Sequence, residues 1–303
     1  MTKVSNPDKV MFPDSGYTKA DVVGYYDAAA PAMAVHLVDR PLTLHRFPNG
    51  VGEKGFLQKN ASDFFPDDIL RVEVPKQEGG ITTYAVLVEP NRIGYLANLG
   101  TVTFHVWTSS RPHLDRPDRL VFDLDPPEGA TAAAADAADV VRAFLADVGL
   151  DSAVMTTGSK GYHVVVPIVP TLGYDRVGTM SQLAAALMVA GSPTLLTDQF
   201  RIAKREGRVF VDWLRNRVGQ TGVAAWSARA RPGAPVATPI AWDEITATPP
   251  DAYTILSAPD RFDIDPIADL AKHPVDLTDA AAKTAAIAAE SGVEPAQFDR
   301  FRS

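Results

Sequence analysis

The stretch "RLVFDLDPPEG", residues 119–129, sets Asp123 and Asp125 inside an apolar run. Val121, Phe122 and Leu124 read as a short buried strand, which Pro126-Pro127 ends because proline cannot extend a ladder. Side chains alternate along a strand, so Asp123 and Asp125 point to one face while Phe122 and Leu124 pack the other. Neighbouring carboxylates repel, and burial aggravates this unless a cation or protons intervene. Either that face is open to water or something positive belongs there.

Upstream of this strand, "YTKADVVGYYDAAAPAMAVHL" (17–37) predicts a helix capped by Thr18, with Asp21 three residues on. Strands are expected in "PLTLHRF", "GFLQKN", "ILRVEV", "TTYAVLVE" and "TVTFHVW", with a helix in "RIGYLANLG". Downstream, "TAAAADAADVVRAFLADVGL" (131–150) is an amphipathic helix closed by Gly149. "SAVMTTG" and "YHVVVPI" are strands around a "GSKG" turn, "DRVGTMSQLAAALMVA" is a helix, and "RVFVDWL" is a strand. The last stretch, from residue 276, reads as a helix plus a loose tail with no visible chemistry. No repeat emerges, and the pattern predicts an α+β fold on mixed or antiparallel sheets.

A chain of 303 residues makes one large domain or two lobes sharing a cleft. No apolar run has membrane-spanning length, and the N-terminus lacks a signal-like apolar core. There is no cysteine, which excludes disulfides and thiolate zinc sites. A cytoplasmic protein is expected, with no membrane partner. The net charge of −8 argues against a nucleic-acid partner. Between Arg201 and Arg231, however, eight Lys and Arg residues face only Glu206 and Asp212. A groove is only part of a surface, so this local excess counts for more than the sum.

Asp-x-Asp alone is a weak signal, since it recurs at Asp263 and Asp265, and a turn or ladder carboxylate is its usual explanation. The first copy has company. "VFVDWLRNRVGQT" offers Asp212 on a third strand-like run, and three carboxylates on adjacent strands suit Mg²⁺ or Mn²⁺. Two such ions ~4 Å apart activate an attacking hydroxyl and stabilise a leaving pyrophosphate. "TTGSKGYHV" is not a P-loop, yet it gathers Thr157, Ser159, Lys160 and His163 around one turn suited to a triphosphate. Without the aspartates it reads better as a plain hairpin with a polar tip. Arg215 and Arg229 would complete a phosphate clamp. His105 in "TFHVW", taken singly, reads as a core histidine.

The runs "VFDLDPPEG", "TTGSKGYHVVVP" and "VDWLRNRVGQT…AAWSARARPG", in that order, resemble the polymerase domain of bacterial ligase D. That family lies within the archaeo-eukaryotic primase superfamily, and the resemblance covers about residues 4–265. It implies a primase-type catalytic core of two mixed-sheet lobes with flanking helices around a central cleft. Residues 1–270 would form that domain and 271–303 a C-terminal helix and tail, in a stand-alone form without ligase or nuclease modules.

The implied activity is nucleotide addition to a 3′ end, with ribonucleotides and manganese favoured. By the resemblance, Asp123, Asp125 and Asp212 are metal ligands. His105, Thr157, Ser159, Lys160, His163, Arg215 and Arg229 contact the nucleotide, with Lys59 near the incoming sugar. Thr157 replaces the family's usual serine. Asn6, Lys9 and Lys19 would grip a downstream 5′-phosphate, with Phe64 and Phe65 stacking beside it and Arg205 facing the DNA. Implied partners are gapped or broken DNA, nucleoside triphosphates, Ku and a separate DNA ligase, in a bacterial, nucleoid-associated setting. Two other readings stand beside this one: a catalytically idle DNA-end-binding module, and another Asp-x-Asp phosphotransfer enzyme. Against the latter, Pro126 stands where dehalogenase-type phosphatases carry glycine.

Overall fold

The computed structural model describes residues 1–76 and 79–295; the tail expected after the last helix lies largely outside them, at 296–303. A short hairpin, β1 (Val10–Phe12) and β2 (Tyr17–Thr18), leads into α1 (Lys19–Leu37). The Thr18 hydroxyl accepts from the Asp21 amide while Asp21 Oδ2 accepts from the Thr18 amide at 2.7 Å, the reciprocal cap the sequence predicts. There follow β3 (Leu42–Arg46), β4 (Phe56–Gln58), β5 (Ile69–Pro75), β6 (Ile81–Leu87), α2 (Ile93–Asn98) and β7 (Thr101–Val106). The second half runs β8 (Arg119–Asp125), α3 (Thr131–Asp147), β9 (Ala153–Thr156), β10 (Tyr162–Pro167), α4 (Tyr174–Gly191) and β11 (Leu196–Thr197). It closes with β12 (Val209–Asp212), β13 (Gly222–Val223), β14 (Pro239–Ile240), α5 (Pro266–Leu270) and α6 (Thr278–Ser291).

One sheet has the order β13-β7-β3-β6-β5, with β4 alongside β3, and its pairs are antiparallel. The other has the order β11-β12-β8-β10-β9-β14, antiparallel except for the β11–β12 pair. The expected α+β architecture is therefore observed. Strand β8 shows how the halves fit. Leu120, Phe122 and Leu124 pack under α3 and α4 in one core, whereas Val121 belongs to the core it shares with Phe104 and Val106 of the other sheet. Asp123 and Asp125 follow Val121 on that inter-sheet face, where the space between the sheets opens as a cleft.

One local reading differs from the sequence. The expected strand "RVFVDWL" stops at Asp212, because Asp212 Oδ1 accepts the Leu214 amide at 2.9 Å and bends the chain into a 3₁₀ turn, Leu214–Asn216. Asp265 is a structural hub. It accepts from the Trp226 indole at 3.0 Å and the Ala268 amide at 2.9 Å, and lies 2.6 Å from His36 Nε2. It thus ties α1, α5 and the loop after β13 together, while Asp263 is exposed. Helix α6 packs against α4 and buries Leu277 and Ala280 in the helical core.

Candidate active site

The register of three strands draws distant residues into one row. Asp123 on β8 stands opposite His163 on β10 and opposite Asp212 on β12. His163 Nε2 lies 3.3 Å from Asp123 Oδ1. From the 3₁₀ turn after β12, Arg215 sends Nε to Asp123 at 3.1 Å, one terminal nitrogen to Asp212 at 2.9 Å and the other to the Thr221 carbonyl at 3.1 Å. Asp125 is opposite Phe210 and lies 4.0 Å from Arg205.

These contacts set the charges. Burial opposes ionisation of Asp123, but the His163 and Arg215 charges and hydrogen bonds outweigh it and hold this carboxyl well below its ordinary range. Asp125 goes the other way, pushed up to about 6 by burial and by repulsion from Asp123 and Asp212. Burial also raises Asp212 despite its pairing with Arg215. Burial first, then Arg229 and the neighbouring cationic and imidazole groups, pushes His105 down to about 3, so it is a neutral imidazole at neutral pH.

The turn between β9 and β10 flanks the row in the same sheet, while β7 and β13 of the other sheet make the facing wall. Thr157 donates from its hydroxyl to the Gly161 carbonyl at 2.9 Å and from its amide to the same oxygen at 3.0 Å. Gly158 has φ +61°, and a Cβ there would sit 2.9 Å from the Val236 carbonyl carbon; at Gly161 it would sit 1.7 Å from the Leu124 oxygen. Only glycine lets this turn lie flat against both neighbours. Arg229 donates to the Thr157 carbonyl at 2.9 Å and so braces the turn while facing the cleft.

The resulting cleft, of about 250 Å³, brings together His105, Asp123, Asp125, Thr157, Ser159, Lys160, His163, Arg215 and Arg229. Asp212 reaches it through Arg215. His105, half-buried, lines the cleft and is not simply a core histidine. Thr157 is buried with its hydroxyl proton committed to the turn. Lys59 is exposed just past β4 and does not line this cleft.

The expected DNA residues lie elsewhere. Lys9 donates to the Pro48 carbonyl at 2.5 Å, its amide bonds to the Asn6 carbonyl at 3.1 Å, and its carbonyl accepts the Lys19 amide at 2.7 Å. Burial and then the Lys9 charge lower the Lys19 ammonium. Asn6, Lys9 and Lys19 therefore do form one basic corner. The aromatic pair is split: Phe65 is 3% exposed and packs edge-on to Tyr95, so it has no face for a base, whereas Phe64 is 63% exposed. Arg205 lies over the Phe210 ring at 4.1 Å, folded toward Asp125.

Sequence reasoning missed Asn216. Fully buried, it accepts the Val121 amide at 2.8 Å and donates to the Val121 carbonyl at 2.7 Å, imitating a strand partner where β12 has ended. It also missed Arg231, Thr221 and Gly222 as cleft residues. Their roles depend on the pairing of β13 with β7, which two residues of strand do not announce.

The three carboxylates share one face of the sheet, and a turn carrying Lys160 lies beside them in that sheet. The family model for the LigD primase-polymerase domain matches residues 18–271. The chain belongs to the LigD primase-polymerase family. Its members are nucleotidyltransferases. The polymerase domain from Mycobacterium tuberculosis ligase D, solved in complex with DNA, superposes with a TM-score of 0.83 at 31% identity, covering 90% of this chain and 99% of that one. The multifunctional non-homologous end joining protein LigD of Mycolicibacterium smegmatis is 34% identical over 246 residues, or 80% of this chain. That of Pseudomonas aeruginosa is 30% identical over 275 residues, or 89%. The chain spans about a third of the length of these relatives, 32% and 33%.

The family implies a divalent metal, and the donor chemistry fits one. Carboxylate oxygens are the ligands hard cations prefer, and Asp123, Asp125 and Asp212 present theirs from one face of adjacent strands. Among the described residues, no three His, Asp or Glu side chains form a ready cage. Arg215 bridges Asp123 and Asp212 instead. Also among the described residues, no helix is long and apolar enough to cross a membrane.

Proposed function

We propose that this chain is a DNA-repair polymerase that transfers nucleotides to a primer 3′ end, filling short gaps and extending broken ends. The observation that carries this is the row His163–Asp123–Asp212, with Asp125 beside it, lining one cleft with Lys160 and Arg229. Asp123, Asp125 and Asp212 would hold Mn²⁺ or Mg²⁺, two ions in all. When bound, they supply a Lewis acid for the 3′-hydroxyl and for the leaving oxygen. Lys160 and Arg229, with Arg231 at the mouth, bind the triphosphate oxygens. The bond from the 3′-oxygen to the α-phosphorus forms as the bond to the β-phosphate oxygen breaks, releasing pyrophosphate and one proton. His105, neutral on the far wall, adds no charge and can hydrogen-bond the nucleotide.

The basic corner of Asn6, Lys9 and Lys19 suits a 5′-phosphate on the downstream strand, with Phe64 stacking beside it. Relatives named for non-homologous end joining support that pathway; ribonucleotide preference and work alongside Ku and a separate ligase are further parts of this proposal. The test is primer extension in manganese across a gap of one to three nucleotides. Ribo- and deoxyribonucleotides are compared, with and without the 5′-phosphate, beside Asp123→Ala. Extension that requires Asp123 and is stimulated by the phosphate is expected. DNA binding with no incorporation would instead mean an idle end-binding module. Hydrolysis of phosphate esters without extension would mean another Asp-x-Asp phosphotransfer enzyme.

A further inference from the structure

Asp123 and Asp212 sit side by side in a largely buried site, an arrangement costly without positive charge between them. The chain supplies that charge itself. Each of the three guanidinium nitrogens of Arg215 is committed: one to Asp123, one to Asp212, one to the Thr221 carbonyl. The backbone beneath is fixed, because the 3₁₀ turn carrying Arg215 is pinned to Val121 by the neighbouring Asn216. The side chain, in contrast, is 28% exposed and forms part of the cleft wall. It can therefore turn toward the cleft without disturbing the sheet. The other cleft cations are arranged differently. Arg229 is bonded to the Thr157 carbonyl, and Lys160 is exposed at the turn.

We propose that Arg215 is a built-in counter-ion, holding the place between Asp123 and Asp212 until a triphosphate draws its guanidinium away and frees both carboxylates for a divalent cation. This rests on the nucleotidyl-transfer reading above. A planar guanidinium grips phosphate and carboxylate oxygens with the same fork, so the exchange swaps one set of charge-assisted bonds for another. Metal and triphosphate then bind in a coupled way, because each removes an obstacle to the other, and such coupling is reciprocal. The device also keeps the carboxylates compensated when no nucleotide is present.

The test uses the full chain in two binding titrations. In the first, free Mn²⁺ is followed by its electron paramagnetic resonance signal without nucleotide. Arg215→Gln is expected to bind Mn²⁺ at least about fivefold more tightly than wild type, within the usual range of coupling factors. Arg229→Gln, which removes an equal charge from the same cleft, should change it far less. In the second, a non-hydrolysable ATP analogue is titrated in EDTA. Asp212→Asn removes one of the two carboxylates that hold Arg215 and should tighten binding by a similar factor, a gain that Asp212→Asn with Arg215→Gln loses. Asp125→Asn, whose carboxyl feels Arg215 only at longer range, should show a gain that largely survives Arg215→Gln.

Equal effects of Arg215→Gln and Arg229→Gln on Mn²⁺, or an Asp212→Asn gain independent of Arg215, would overturn the proposal. Asp212→Asn retains Arg215, so the absence of any gain in that single variant overturns the proposal even if Arg215→Gln folds poorly. Failure of the underlying reading looks different: Asp123→Ala would then bind Mn²⁺ as well as wild type.

Discussion

His105 faces the cleft from β7, surrounded by Arg229, His45, Arg215 and His163, and adding a proton there costs more than in water. Burial and these neighbours move it from 6.5 to about 3. Between those values the unfolded chain takes up a proton that the native chain refuses, so this residue lowers stability as pH falls through 6.5 toward 3. Asp125 works in the opposite sense, since its raised carboxyl gains a proton more readily when folded. Comparing His105→Gln with wild type separates the two. Urea midpoints measured from pH 7 to pH 4 should fall less for the variant; parallel curves would mean the imidazole is not held neutral. At this scale the sequence made part of the site legible. Alternation along "VFDLD" placed both aspartates on one face, and the row confirms it. The bridging role of Arg215 and the strand mimicry of Asn216 were not legible. Both follow from the register of β12 against β8, which no local pattern records.

Between β9 and β10 the "GSKG" turn is an element whose shape is set by close approach rather than by propensity. A methyl at Gly161 would collide with the Leu124 oxygen on β8 and come within 3.1 Å of Pro126. Tyr162 pairs with Leu124, and His163 with Asp123, in the next two steps of that ladder. Gly161→Ala must therefore push β10 away from β8 where the proposed catalytic row forms. A cost of about 1–3 kcal/mol is expected, with a marked loss of extension. Gly191, the last residue of α4, meets nothing within 4 Å. Gly191→Ala should be neutral or stabilising by about 0.4–1 kcal/mol. Urea unfolding of the two variants beside wild type checks both. Long elements were readable because they carry their own signals, such as the cap of α1 and the alternation of β5 and β8. Strands β2, β11, β13 and β14 have two residues each, and distant partners hold them in place. A window of sequence contains too little of them to show a period.

Across the whole molecule the net charge is −8, yet the surfaces proposed to meet nucleic acid are basic. The cleft mouth carries Lys160, Arg229 and Arg231, and a separate corner carries Lys9 and Lys19. The β1–β2 hairpin links the two regions, since Ser15 Oγ accepts the Gly233 amide at 3.1 Å, two residues beyond Arg231. Only local charge acts at phosphate distances, because salt screens the remaining acidic surface beyond roughly 8–10 Å. Each phosphate neutralised by a lysine or arginine releases counterions, and contributes about 0.9 to the slope of log affinity against log salt on duplex DNA. Lys9 holds only the exposed Pro48 carbonyl and Asn49 side chain, so its removal spares the core. For Lys9→Ala, the slope on gapped DNA bearing a downstream 5′-phosphate should fall by about 1, while the slope on the 5′-hydroxyl substrate stays unchanged. Fluorescence anisotropy between 50 and 200 mM salt measures both. A fall on both substrates would make Lys9 a general backbone contact, and no fall on either would place the phosphate away from this corner. In that last case the polymerase cleft would keep its assignment, because none of its residues depends on Lys9.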